Sequence, residues 1–207
     1  MKKISIIFAV ILLINNITAQ VRVAVKAGYN YAGAKAVYAG VKQSTEAISG
    51  YGIGVMAKVP FDGVLQFSPS VMINRRGFIV KPTTGTNKKE QYSITYLDLV
   101  PSLSADFVHG TNSLAVSLGP DFGFTNFGKL KATDNSNATT SQKLKFGYEA
   151  YGWFDLGLNA SVGYHMKKTF VEVGYLLGLA SVNNNEENDQ RNMQNRVVSV
   201  SVGYYFR

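Results

Sequence analysis

The chain closes on VVSVSVGYYFR, and from Val198 every second residue is bulky and apolar: Val198, Val200, Val202, Tyr204 and Phe206. Ser199, Ser201, Gly203 and Tyr205 lie between them. A period of two belongs to a β-strand with two unlike faces. Seven earlier segments alternate in the same way: residues 21–31, 51–61, 65–73, 97–107, 114–124, 154–166 and 171–179. No apolar-parity position in any of the eight is charged, and none is Ser, Thr, Asn or Gln.

The connections between segments alternate in length. Asp62-Gly63, residues 109–112 and residues 167–169 make short turns, whereas residues 32–50, 77–91, 126–153 and 182–195 make long links. Two of the long links, KATDNSNATTSQK and NNNEENDQRNMQN, are polar and of low complexity and read as solvated, mobile loops. Eight strands with short turns at one end and long loops at the other predict an all-β fold, an eight-stranded antiparallel up-and-down transmembrane β-barrel.

Alternation alone does not say which face is outside. The lumen of an eight-stranded barrel is just wide enough for side chains. The second parity is rich in small residues, among them Gly28, Gly52, Gly54, Ser68, Ser102, Ser117, Gly157, Ser161, Gly174 and Gly203. Small residues suit a crowded, filled lumen, so the bulky apolar parity faces outward, where lipid rewards it. Nine charges also share the inner parity: Arg22, Lys26, Lys58, Arg76, Asp98, Asp106, Asp121, Asp155 and Glu172. Four positive against five negative groups are near balance, and pairing offsets much of the cost of burying them. A Lys or Arg on the lipid face would cost roughly 2–4 kcal/mol at mid-bilayer. Aromatics gather near the ends of the outer parity, as in interfacial girdles. Pro69, Pro101 and Pro120 fall inside strands of a barrel that has no edge, and are read as bulge sites.

Composition adds an address. The opening MKKISIIFAVILLINNITAQ has a basic start, Lys2 and Lys3, then an apolar run over residues 4–14 that is too short to span a bilayer as a helix. It reads as a secretory signal over residues 1–19, cleaved after Ala19, with the barrel domain over residues 20–207. There is no Cys, which excludes disulfides, thiolate metal sites and a cysteine nucleophile.

Little in the sequence carries chemistry. Ser161, His165, Asp155 and Asp121 share the inner parity, but no spacing specifies a triad. No catalytic, cofactor or metal residue is assigned. GIGVMAK lies within a strand with no helix after it, so it is not a phosphate loop. Asn137-Ala138-Thr139 is a sequon without consequence in a bacterial setting. The formal charge of +8 is divided between lumen and loops, which argues against nucleic-acid binding. Lys88-Lys89, Lys129/Lys131 and Lys143/Lys145 make two outer loops basic and suggest attraction to lipopolysaccharide. Glu186, Glu187, Asp189, Arg191 and Arg196 make the fourth loop soluble.

The chain resembles the PorT-like outer-membrane β-barrel family of Bacteroidota. The likeness rests on VRVAVKAGYNYAGA directly after the signal, YLDLVPSLSADF over residues 96–107, SLGPDFGF, FDLGLNASVGY and the closing VGYYF. Asp98 and Val100 depart from the family's Tyr-Leu-Glu-Ile-Pro element. Arg207 departs from a terminal aromatic, a role Phe206 can take for the barrel-assembly machinery. The resemblance implies an integral outer-membrane barrel with no family catalytic residue, and a link of some relatives to type IX secretion. The expected role is structural, surface-interacting or secretion-accessory. Expected partners are outer-membrane lipids, lipopolysaccharide, and secretion-system or surface proteins. Two alternatives stand beside it: a lipid-modifying enzyme using His165, and a soluble periplasmic lipocalin-like lipid carrier with its faces inverted.

Overall fold

The computed structural model describes residues 21–82, 86–109, 111–147, 150–185 and 190–206, without the side chains of Phe61 and His109. The signal segment, the acidic Glu186, Glu187 and Asp189, and Arg207 lie outside the described residues. Ten strands follow in order: β1 (Arg22–Tyr38), β2 (Val41–Lys42), β3 (Ser44–Asp62), β4 (Leu65–Lys81), β5 (Asn87–His109), β6 (Asn112–Asp134), β7 (Thr139–Lys143), β8 (Phe154–His165), β9 (Thr169–Gly178) and β10 (Asn192–Tyr205). Eight of them form a closed antiparallel ring, β1-β3-β4-β5-β6-β8-β9-β10, which β10 completes by pairing back onto β1. Their pairing is antiparallel throughout, from Ala24 opposite Tyr205 to Val37 opposite Asn192 at the closure. The short β2 folds back on β1 and the short β7 on β6.

Within the alternating segments the outward column is apolar and exposed: Val23, Val25, Ile53, Val55, Val71, Ile73, Leu103, Val116, Leu118, Val162, Val173, Val200 and Val202 among others. The inward column is mostly polar or small, with Met56, Met72, Val100, Leu176 and Tyr205 among its larger buried members. This arrangement is opposite to that of a soluble lipid carrier and sets that alternative aside.

Three of the long links are largely strand. Most of residues 32–50, 77–91 and 126–143 continue the strands as a crown above the band, about ten residues tall on β5. KATDNSNATTSQK, expected to be mobile, is a β6–β7 hairpin with Lys129 opposite Lys143 and Thr133 opposite Thr139. The reason it escaped notice is visible on β5. Below Leu97 the apolar side chains point out; above it Tyr92, Ile94 and Tyr96 point in and are buried, while Gln91, Ser93 and Thr95 point outward. Water replaces lipid outside, so the polarity of the two faces inverts. On β6 a register shift opposite Thr95/Tyr96 adds a residue at Asn126 and swaps parity as well. A second shift in β3 lies between Ala47 and Tyr51.

Pro69, Pro101 and Pro120 are not at bulges. Pro69 pairs with Pro101 in unbroken β4–β5 register, and Pro101 faces Pro120 between the pairs Leu99–Phe122 and Leu103–Leu118. The three lie in one outward row. The β5–β6 ladder lapses beside Pro101 and Pro120, where an N–H is missing, but its register is the same above and below.

Candidate functional site

Parity delivers side chains to the lumen, and the barrel stacks them in layers. The lowest, beside the short turns, is aromatic. Ala24, Met56, Phe170 and Tyr205 pack together. His165 stacks on Phe170 with centroids 4.9 Å apart, and its Nδ1 lies 2.7 Å from the Tyr205 hydroxyl. The Arg22 guanidinium sits 3.8 Å over the Tyr205 ring and donates to the Lys167 carbonyl at 3.1 Å. Beside it, toward the β3–β4 turn, Lys58 donates to both oxygens of Asp106, at 2.7 and 2.6 Å. Lys26 pairs with Glu172.

A cavity of about 70 Å³ follows, lined by Ser68, Ser102, Ser117, Ser161, Asp121 and Glu172 among others. Over it lies the most buried charge cluster. Arg76 donates to Asp98 at 3.0 Å and to Asp155 at 3.2 Å, and stacks 4.0 Å from the Tyr96 ring. Asn74 donates to Asp98 and Asn195 to Asp155, each at 2.7 Å. Asp121 shares this charge environment. Its Oδ1 has no hydrogen-bond partner among the described residues. One guanidinium therefore pairs with two carboxylates, and Asp121 stands near it without an ion pair among the described residues.

The crown has its own apolar core: Ala34, Ala36, Phe78, Val80, Tyr92, Ile94, Tyr96, Leu130, Leu144, Val182 and Met193, with Phe146 and Tyr151 packed on it. Leu144, Phe146, Tyr151 and Val182 thus close the mouth. Around that core Arg191 donates to Glu90 at 2.6 Å and to the Tyr92 hydroxyl at 3.2 Å, while Asn87 donates to Glu90 at 2.7 Å. Burial pushes the Glu90 carboxyl up. The hydrogen bonds from Asn87 and Arg191, the Arg191 charge and the Tyr92 hydroxyl outweigh it and hold the group below the usual carboxylate range. Sequence reasoning missed this assembly. Its only signal was Tyr92-x-Ile94-x-Tyr96, an apolar alternation that continues into the expected loop on the opposite parity.

The structure places all nine inner charges in the lumen, eight of them in two groupings: the Lys26–Glu172 and Lys58–Asp106 pairs, and the Arg76 cluster with its three acids. Arg22 has an aromatic ring and carbonyls instead of a carboxylate. Val198, Val200, Val202, Tyr204 and Phe206 are exposed on the outer wall. The hydrolase candidates do not converge. Asp155, Ser161 and His165 lie along one strand, six and then four residues apart, which at ~3.3 Å per residue separates them by well over hydrogen-bond reach. Asp155 is held by Arg76 and Asn195, and His165 by Tyr205. Among the described residues no three His, Cys, Asp or Glu side chains are grouped to hold a metal ion.

A closed antiparallel ring with an apolar outer band and a polar, filled lumen defines a small transmembrane β-barrel. The chain belongs to the outer membrane protein beta-barrel domain family, whose model matches residues 16–184. That places it in the outer membrane as an integral protein. No curated protein sequence matches the chain. Three solved structures are similar to it. The attachment invasion locus protein of Yersinia pestis is 14% identical with a TM-score of 0.47, over 91% of this chain and 100% of that one. Neisserial surface protein A is 16% identical with a TM-score of 0.47, over 91% and 100%. OprG from Pseudomonas aeruginosa is 13% identical with a TM-score of 0.45, over 90% and 96%.

Proposed function

We propose that the protein is a surface-interaction barrel whose rigid crown presents contacts outside the cell, and that it neither conducts nor catalyses. The carrying observation is the closure of the mouth by the crown core, with Tyr92, Phe78 and Met193 fully buried among Leu144, Phe146, Tyr151 and Val182. A mouth sealed by packed aromatics leaves the outer rim, not the lumen, as the working surface. Short turns face the periplasm in barrels of this kind. Here the β3–β4, β5–β6 and β8–β9 turns are a few residues each and offer little area to a periplasmic partner. This favours a surface role over the secretion-accessory role that the PorT-like motifs suggest.

An epitope inserted at Ser136, at the tip of the β6–β7 hairpin, tests the orientation. Antibody should label intact cells; the same epitope after Gly63 should label only permeabilised ones. Replacing residues 134–138 with a Gly-Ser turn should reduce adhesion of intact cells to glycan- or protein-coated surfaces and leave the heat-dependent gel mobility unchanged. Unchanged adhesion, or labelling of Gly63 on intact cells, would overturn the reading.

A further inference from the structure

The outer wall changes character along one quadrant. The last apolar row on β3–β6 is Ile53, Ile73, Leu97 and Phe124, each opposite the next. One row higher, Tyr51, Arg75, Thr95 and Phe127 are partners in the same sense. One row higher again, Ser93 faces Lys129, and Lys129 faces Lys143 of β7. The extra residue at Asn126 brings Phe127 and Lys129 onto the outer face, where the parity of lower β6 would have turned them inward. A hollow of about 440 Å³ lies against these rows, and Tyr51, Arg75, Phe127, Lys129, Lys143 and Phe146 are among the residues that line it.

Among the described residues no carboxylate lines the hollow. Arg75, Lys129 and Lys143 are exposed and make no ion pair among the described residues. The described acids of the crown are engaged elsewhere: Glu46 with Lys81 and Lys89, Glu90 with Arg191, and Asp134 with its own turn. Three cations thus face one concavity, and no described carboxylate balances them.

Depth identifies the occupant. Two residues of strand advance ~6.7 Å, or about 5 Å along the membrane normal at a barrel's tilt. The cations therefore stand roughly 5–10 Å beyond the apolar band, where the headgroup layer lies. Arg matches phosphate with a two-pronged fork, Lys adds a point charge, and Tyr51 and Phe127 offer flat apolar faces to a sugar ring. We propose that Arg75, Lys129 and Lys143 bind the phosphates of an outer-leaflet glycolipid, whose acyl chains run down the Ile53, Ile73 and Leu97 wall. The site is independent of any partner at the crown's tip.

The test is a titration of fluorescent bis-phosphorylated lipid A into the purified full-length barrel in zwitterionic detergent. Wild type should bind it, and Arg75→Gln with Lys129→Gln and Lys143→Gln should weaken binding at least about tenfold. Removing equal charge at the exposed Lys35, Lys88 and Lys168 should change binding less than about twofold, because those groups converge on nothing. Dephosphorylated lipid A should bind wild type as weakly as the triple variant binds the intact lipid. If the triple variant loses its heat-dependent mobility shift, Lys143→Gln alone, on a strand outside the closed ring, carries the test with an expected loss of about threefold. Equal losses in the two triple variants would overturn the proposal. So would lipid A binding no tighter than inorganic phosphate, which would mark a site for the free anion.

Discussion

Lys58 and Asp106 show what a lumen pair contributes. Both are buried, with Lys58 at 2% and Asp106 at 5% exposure, and among the described residues each is the other's only charged partner by direct contact. Asp106→Asn leaves an ammonium buried without its counter-charge, a change that costs about 3–5 kcal/mol for such pairs. The temperature at which the heat-shifted band appears on a gel should fall clearly, whereas Lys88→Gln, on the exposed crown, should leave it alone. The Lys58→Met/Asp106→Leu double variant should recover most of the loss. From parity alone, Asp121 and Glu172 look equivalent, and neutralising either is expected to destabilise. The geometry separates them: Glu172 pairs with Lys26, whereas Arg76 is taken by Asp98 and Asp155 and Asp121 has no ion pair among the described residues. Glu172→Gln should lower that temperature and Asp121→Asn should not. Side-chain period identifies which residues turn inward, but pairing depends on inter-strand register and bulges, which no local pattern encodes. Lys58 and Asp106 are 48 positions apart, on strands that are not even neighbours.

At the scale of elements, the alternation was legible wherever lipid lies outside and a polar lumen inside. It failed where water replaces lipid. Within β5 the apolar set passes from Leu97, Leu99 and Leu103 on one parity to Tyr96, Ile94 and Tyr92 on the other. A search for one continuous sense of alternation stops there. The hairpin tip was masked for another reason: its residues are turn formers that read as low complexity. Asp134 Oδ1 accepts from the backbone N–H groups of Ser136 and Ala138, both at 2.9 Å, and Asn137 takes φ of 65° in the left-handed region that Asn tolerates. Asn137→Val should therefore fray the β6–β7 hairpin and make residues 131–143 sensitive to added protease on intact cells, whereas Asn137→Gly should not. The crown's second clamp responds to pH. The folded Glu90 carboxyl lies below its unfolded value, so its contribution is complete above the ordinary carboxylate pKa and is lost as pH falls through the lowered one. The protection factors of amides in the Glu90–Arg191 region, taken relative to the intrinsic exchange rate at each pH, should be high at pH 7 and fall as the pH drops below the ordinary carboxylate range. Glu90→Gln should show low protection at both.

At the scale of the whole molecule, the lumen is blocked three times in series. The crown core closes the outer mouth. The Arg76, Tyr96 and Asp155 layer fills the middle with side chains of 3% exposure or less. Phe170, Tyr205 and His165 close the short-turn end. Resistances in series add, so removing one plug leaves the other two in control. Tyr92→Ala with Tyr151→Ala, or Phe170→Ala with His165→Ala, should each lower the unfolding temperature while giving no steady conductance in planar bilayers. The Arg76 layer is the decisive one, because eight strands leave room for little beyond the side chains that fill them. Steady ion flow in either double variant would show that this layer moves aside, and that the buried cluster is a gate held shut by its neighbours instead of a fixed wall.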